Sequence, residues 1–433
     1  MTEWPILTLG EICAEGGGFV RTGPFGSQLH QSDYVDDPDG IPVVMPKDMA
    51  VGRVDRSTIA RIDKATARRL SQHLLAAGDV ALSRRGDVGR SAWIGAEDLP
   101  VLCGTGSMRV HPGSPKTVIA DYLRYFFRSR LAIDYLEGQA VGATMPNLNS
   151  GIVTGMPVPI LPLPKQELAG SVLRGLDELI ENNRRRVGVL EAMARAIYRE
   201  WFVHFRYPGH EDVPLVDSPL GLVPDGWLLT TCGETLTALG GGTPSKSEPS
   251  FWADGNIPWF TPSDLTRSRT RFSSEPQLSI TEAGLARSSA RLFPAGSVMM
   301  TSRATLGVLT IATTEASTNQ GFIVIPPDDR WPPGFIFEWL HDHADELASV
   351  ATGATFKEIT KGAFKRVPFL VAPPGVLASY RAVTEPIDWN IQRLEQQIRC
   401  LTAIRDLLLP KLVTGQIDIS TLELEAPMET GAA

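Results

Sequence analysis

Cysteine is scarce and scattered in this chain. The four cysteines in 433 residues, Cys13, Cys103, Cys232 and Cys400, form no CxxC pair, which argues against zinc ribbons and disulfide frameworks alike. Reduced, structural thiols are expected. No apolar run approaches the roughly 20 residues of a membrane-spanning helix, so no membrane span is expected. The first segment, MTEWPILTLGEICAEG, carries acid where an export signal carries base, and has no long apolar stretch. A cytoplasmic protein is the expectation. Positive charge is not in excess either: the net charge is −8, so any DNA contact has to come from local clusters or a basic partner.

Catalytic signatures are missing as well. The chain has no GxxxxGK[ST] phosphate loop and no Asn/Asp-Pro-Pro-Tyr/Phe stretch of the kind adenine methyltransferases use. CGTGSM, from Cys103 to Met108, has two glycines at dinucleotide spacing but lacks the third and opens no helix. His341 and His343 in LHDHADE have no third ligand in view, which leaves them a helix-surface pair. No catalytic, cofactor-binding or metal-binding residue is therefore assigned. A hydrophobic fraction of 43% and a charged fraction of 21% describe a globular chain with a core, long enough for several domains.

What is present is repetition. An offset of 211 residues carries Gly142-Ala143-Thr144 onto Gly353-Ala354-Thr355, Pro157 onto Pro368, Pro162 onto Pro373 and Ile180 onto Ile391. Upstream the offset drifts, as loop insertions would make it. WPILTLGE (4–11) sits against WLLTTCGE (227–234), GIPVVMPKDM (40–49) against NIPWFTPSDL (256–265), and AAGDVALSRRGDVGRSAWI (76–94) against PAGSVMMTSRATLGVLTIA (294–312). The order is the same in both halves, so the chain is two homologous halves.

Each half changes texture once. Its first part is rich in glycine, proline and short apolar alternations such as GDVALSRRG and GFIVIPP, which read as short strands with some helix, for example 120–138. After a proline-rich exit the periodicity becomes helical. One seam reads Ile180, Asn183, Val187, Leu190, Ala194, Ile197 and Trp201; the other reads Ile391, Leu394, Ile398, Leu401, Arg405, Leu408 and Leu412. Such spacing buries one stripe against another helix, although two separate amphipathic helices, each on its own domain, would share it. The first segment runs some 40 residues without proline, or about 60 Å of helix. The expected architecture is α+β: two mixed, β-rich domains at 1–164 and 208–375, the latter with an entry linker, two long helices at 165–207 and 376–415, and a tail at 416–433. Paired as an antiparallel coiled coil, the helices would give the chain approximate two-fold symmetry. Duplex DNA has a matching dyad, and proteins that read two half-sites present two related modules about one helical turn, ~34 Å, apart.

In this order and doubling, GATMPNLNSGIVTGMPVPILPLPKQE, EAMARAIYREWFVHF, GGGTPSK, NIPWFTPSDL, GATFKEI and LLLPKLVTGQI resemble the specificity subunit of type I restriction-modification systems. The resemblance covers nearly the whole chain, and each motif taken singly is weak. It implies two target recognition domains, each addressing half of a bipartite, asymmetric site in double-stranded DNA. It also implies that the helices are conserved spacers that dock two methyltransferase subunits, with restriction-translocase subunits joining later. S-adenosylmethionine, ATP and magnesium would be used by those partners and not by this chain. A self-contained restriction-methylation enzyme and a symmetric protein-binding scaffold are the alternatives.

Base and phosphate contacts need donors that reach the duplex. In the first half the candidates are Lys47, in a turn after an apolar strand, and Arg84, Arg85 and Arg90 around SRRGDVGR. In the second they are Ser245, Lys246, Ser263, Arg267 and Arg303, with Asp264 in the same turn as Ser263. A solvated loop explains any one of them as well. The doubled segment Thr144 to Asn149 against Thr355 to Thr360 is the same in two domains that should read different sequences, so a shared structural turn or backbone contact is preferred. Arg184, Arg185 and Arg186 read as a solvated helix face, or as a contact with the DNA backbone or an acidic partner. Trp201, Phe202 and Phe205 exceed what a two-helix seam needs, and serve either a methyltransferase interface or packing on the second domain.

Overall fold

The computed structural model describes residues 4–50, 52–142, 145–303, 305–353 and 357–417. Thr144, Thr355 and the tail from 418 onward lie outside them. The chain divides into two compact units, residues 1–179 with 401–433, and residues 180–400. Two long helices dominate, Leu163–Phe202 and Pro374–Val413, each of 40 residues and separated by the same offset of 211. Each helix contributes one part to each unit, so the helices are shared between the two units and do not stand apart from them.

In the first unit Gly17–Thr22, Ser107–Gly113, Val80–Ser83 and Ser91–Trp93 form an antiparallel sheet in that order. A second sheet orders Leu102–Cys103, Ile41–Val44, Arg61–Ile62 and Tyr34–Val35, its first pair parallel. The second unit repeats the wiring. Leu239–Gly240, Phe322–Ile325, Val298–Thr301 and Leu309–Ala312 make the main sheet, extended by Phe272–Ser273, and Ile257–Phe260 lies between Leu278–Ile280 and Ser317–Thr318, parallel to the latter. The entry strand pairs with the proline-rich exit strand in both units: Ile6–Thr8 with Pro157–Pro159, and Leu228–Thr231 with Pro368–Val371. The exit therefore closes each domain before the helix begins. Pro162 and Pro373 accept the first helical amides, from Lys165 and Gln166 and from Val376 and Leu377.

The segment 120–138 is two helices, Ala120–Phe126 and Arg130–Gln139, because Phe127 to Ser129 turn the chain and the Ser129 hydroxyl caps the second. The long helix ends at Phe202, so Phe205 follows it, in a left-handed conformation with φ 58°.

In the second unit the helices run antiparallel: Asn183 donates to Gln397 at 3.2 Å, while Trp201 meets Tyr380 at 5.8 Å. Ile180, Ile391, Leu394 and Ala194 are buried there. Val187, Leu190, Ile197 and Trp201 are half-buried against the same core. Ile398 is half-buried in the second unit; in the first unit Leu401 is half-buried, and Leu408 is half-buried beside buried Leu409 and Leu412. The two polar seam residues are matched: Asn183 by Gln397, and buried Arg405 by Asp177 at 3.1 Å. Polar pairs of this kind suit one register only. Phe202 packs on Phe335 at 4.8 Å, Tyr380 at 5.0 Å and Trp227 at 5.8 Å, so Trp201, Phe202 and Phe205 build the core of the second unit.

Candidate nucleic-acid interface

Four loops meet in each unit, and they meet in the same way. The first is the Ser-Arg turn after the strand Val80–Ser83 or Val298–Thr301. Its backbone is bridged to the doubled Gly-Ala-Thr loop: Arg85 pairs with Asn147, and Arg303, which falls on the repeat position of Arg85, pairs with Glu358. Beside these bridges Leu148 donates to Arg84 and Ile359 donates to Ser302, each at 2.9 Å. The loop closes on itself through two hydrogen bonds between Val141 and Asn147, and again between Thr352 and Glu358. That closure needs a glycine, since Gly142 and Gly353 have φ of 121° and 119°. The loop then enters a short helix capped by Asn149 in one unit and Thr360 in the other. Among the described residues of the doubled motif, Gly142 and Gly353 take the same turn conformation.

The third loop carries the glycines of CGTGSM and their counterparts. Arg84 donates to Gly106 and Ser302 to Gly321, both at 2.8 Å. A side chain at Gly106 would touch Pro46, and one at Gly321 would touch Pro262, which begin the turns that present Lys47 and Ser263. These turns also match: Asp48 accepts from the Met45 amide, and Asp264 from the Thr261 amide. The fourth loop follows the first strand of the main sheet. Gly23 there lies so close to the Gly104 carbonyl, and Gly241 to the Asn319 carbonyl, that no Cβ would fit.

The candidates Lys47, Arg84, Arg85, Ser263 and Arg303 therefore belong to one loop cluster in their respective units, with Ser245 and Lys246 at the far end of the fourth loop. Arg84 is half-buried, donates Nε to the Leu148 carbonyl at 3.2 Å and lies 5.3 Å over the Phe25 ring. Burial first, and the neighbouring Arg85 second, lower its pKa. Arg85 is exposed. Arg303 is exposed and ion-paired to Glu358 at 2.8 Å. Exposed Lys47 reaches the Thr58 carbonyl at 3.3 Å, and Ser245 shares a hydrogen bond with Ser247. Arg90 stands apart: it pairs with Asp87 at 2.5 Å and lines a recess with Arg128, Arg130 and Asp406. Arg267 lies a turn beyond Ser263, 3.9 Å from Asp264. The three arginines 184 to 186 are exposed on the first helix.

Sequence reasoning passed over Phe25, and it singled out the segments that hold Asn147 and Glu358 without their arginine partners. Phe25 stands between two glycines in TGPFG, a signal that was available; the pairing partners of Arg85 and Arg303 lie more than 50 residues downstream of them and leave no local trace. Among the described residues no group of three or more His, Cys, Asp or Glu could hold an ion, and His343 stacks on Trp339 at 4.3 Å. No helix among the described residues is long and apolar enough to cross a membrane.

The family model for the type I restriction modification DNA specificity domain matches residues 2–192 and 224–374, one match per half. The chain is 23% identical to the MjaIX type I restriction enzyme specificity subunit of Methanocaldococcus jannaschii, over 88% of each chain. It is 21% identical to the HindI specificity subunit of Haemophilus influenzae, over 78% of this chain and 86% of that one. In fold it resembles the crystal structure of a type I restriction-modification S subunit from M. genitalium, with a TM-score of 0.58 at 14% identity, covering 94% of this chain and 96% of that one. With most of its length matched twice over by the same model, the chain belongs to the type I restriction-modification DNA specificity family.

Proposed function

We propose that this chain is the non-catalytic subunit that tells a type I restriction-modification complex where to bind double-stranded DNA, each unit reading one half of a bipartite, asymmetric site. The observation that carries the reading is the loop cluster: one backbone framework occurs twice, and its exposed side chains differ between copies. Exposed Lys47 and Val141 stand where exposed Ser263 and Thr352 stand in the second unit, and Arg85 is bridged to Asn147 where Arg303 is ion-paired to Glu358. A shared scaffold with different donors is what reading two different short sequences requires.

Two methyltransferase subunits dock on the helices in this reading, and restriction-translocase subunits join the assembly. Support comes from apolar residues that the helices leave exposed, Val189 and Met193 one turn apart on the first and Ile404 and Leu407 on the second. S-adenosylmethionine, ATP and magnesium serve those partners.

The test is duplex binding by the chain reconstituted with its methyltransferase subunits. Salt-sensitive, sequence-selective binding is expected; its absence would favour a scaffold. Methyl transfer from labelled S-adenosylmethionine to DNA by the pure chain would point instead to a self-contained enzyme.

A further inference from the structure

We infer that Phe25 is a base-reading residue of the first unit, making apolar contact with the 5-methyl group of a thymine, and that Arg84 is the positioning residue that holds its ring. The inference rests on the proposed DNA-reading role of the loop cluster and names what one part of that cluster recognises.

Phe25 is 51% exposed and shares the loop cluster with exposed Val141 and Met145, so it is part of an apolar patch and not a lone exposed ring. The chain holds it there by construction. The Gln28 and Leu29 amides donate back to the Phe25 carbonyl at 2.8 and 3.1 Å, and the Gln28 side chain accepts from the Phe25 amide at 3.1 Å, which makes a closed turn with Phe25 at its start. Gly23, where no Cβ would fit, anchors the turn to the sheet. The Arg84 guanidinium lies 5.3 Å over the ring and is itself fixed to the Leu148 carbonyl, so the ring sits beside the Gly-Ala-Thr loop. That loop adds Val141 and Met145, 68% and 62% exposed. Exposed apolar groups thus gather at the one surface where the bases are to be read.

Among base edges in the major groove the apolar feature is the thymine methyl, and phenylalanine is one of the residues that meets it. In the second unit the loop after the first strand of the main sheet, GGGTPSK, holds no phenylalanine, and Thr352 takes the position of Val141, so the contact belongs to one half-site only.

The experiment uses the complete complex with its methyltransferase subunits and its cognate duplex, whose thymines are replaced one at a time by deoxyuracil. In the wild type one replacement weakens binding about fourfold, the order expected for one buried methyl group. In the complex carrying Phe25→Ala that replacement has no further effect, while replacements elsewhere act as before; Phe25→Leu retains part of the penalty. If Phe25→Ala and Phe25→Leu leave every penalty unchanged, or lower binding equally on all duplexes, or if the half-site contains no thymine, the inference is overturned. Loss of sequence selectivity in the wild-type complex would instead remove the DNA-reading role on which it rests.

Discussion

The guanidinium of Arg405 lies 3.1 Å from the carboxylate of Asp177, and both side chains are buried, one from each long helix within the first unit. Asp177 also takes Arg128 at 2.6 Å. The offset of 211 carries Asp177 onto Asp388, which holds Arg271 at 2.8 Å in the second unit. One repeat position thus supplies a helix-borne carboxylate to both units, and different elements supply the arginine. Asp177→Ala removes the carboxylate that Arg128 and Arg405 share and leaves Arg405 with Asp406 at 2.7 Å, so it is expected to cost about 3 kcal/mol in denaturant unfolding. The double variant with Arg405→Leu should recover part of that loss, which a double-mutant cycle measures.

A buried carboxyl in each unit should respond oppositely to pH. Burial pushes the Glu395 carboxyl up to about 7, although its oxygens accept the Arg271 and Phe272 amides at 2.8 and 3.0 Å. A folded value above the unfolded one means stability present at low pH and lost as pH rises to about 7. The second unit should therefore lose on the order of 3 kcal/mol between pH 4.5 and 8 through this group. Glu395→Gln should flatten that dependence in thermal unfolding. Asp177 behaves in reverse. Burial would raise it, but Arg128 and Arg405 outweigh that and hold it low, so its contribution is present at neutral pH and fades as the solution is acidified below the ordinary carboxylate range.

Gly142→Ala and Gly353→Ala each force a side chain into a left-handed backbone; at Gly142 the new Cβ would lie 2.6 Å from the Met145 carbonyl. Each should cost about 1–3 kcal/mol of local stability. The expected readout is selective: Gly142→Ala relaxes discrimination at one half-site and Gly353→Ala at the other, measured by competition between duplexes altered in either half.

Arg85→Ala and Arg303→Ala should also separate by half-site. If either touches a base, roughly 1–3 kcal/mol of discrimination is lost at one position; if a phosphate, binding weakens uniformly and the salt slope falls by about 1. Glu358→Gln keeps the arginine but removes the ion pair that fixes it, so it should lower discrimination at that half-site less than Arg303→Ala does. Equal effects in both halves would contradict one unit per half-site.

Val189→Glu with Met193→Glu places charge on an exposed part of the first helix and should leave unfolding within about 0.5 kcal/mol of wild type. Co-purification with the methyltransferase subunit should be lost. Retention would move the docking surface elsewhere.

Much of this was legible in the chain itself. The proline exits and the heptads are short-range patterns that point to both helices, and Leu163 and Pro374 begin them where Pro162 and Pro373 can accept the first amides. Glycine at 142 and 353 announces a turn because other residues resist that conformation. Trp201 and Phe202 were legible only as large side chains needing cover, since Trp227, Phe335 and Tyr380 come from distant segments.

The sequence by itself determined the duplication, the α+β layout and the helix seam, because spacing along a chain dictates which face each residue takes. Only the tertiary structure decided which side chains share a surface. Arg85 reaches Asn147 and Arg303 reaches Glu358 through backbone bridges closed over long loops, and Phe25 comes under Arg84 because two separate turns leave the same end of one sheet. Contacts of that range depend on how the sheets are wired, and no local pattern in the chain encodes them.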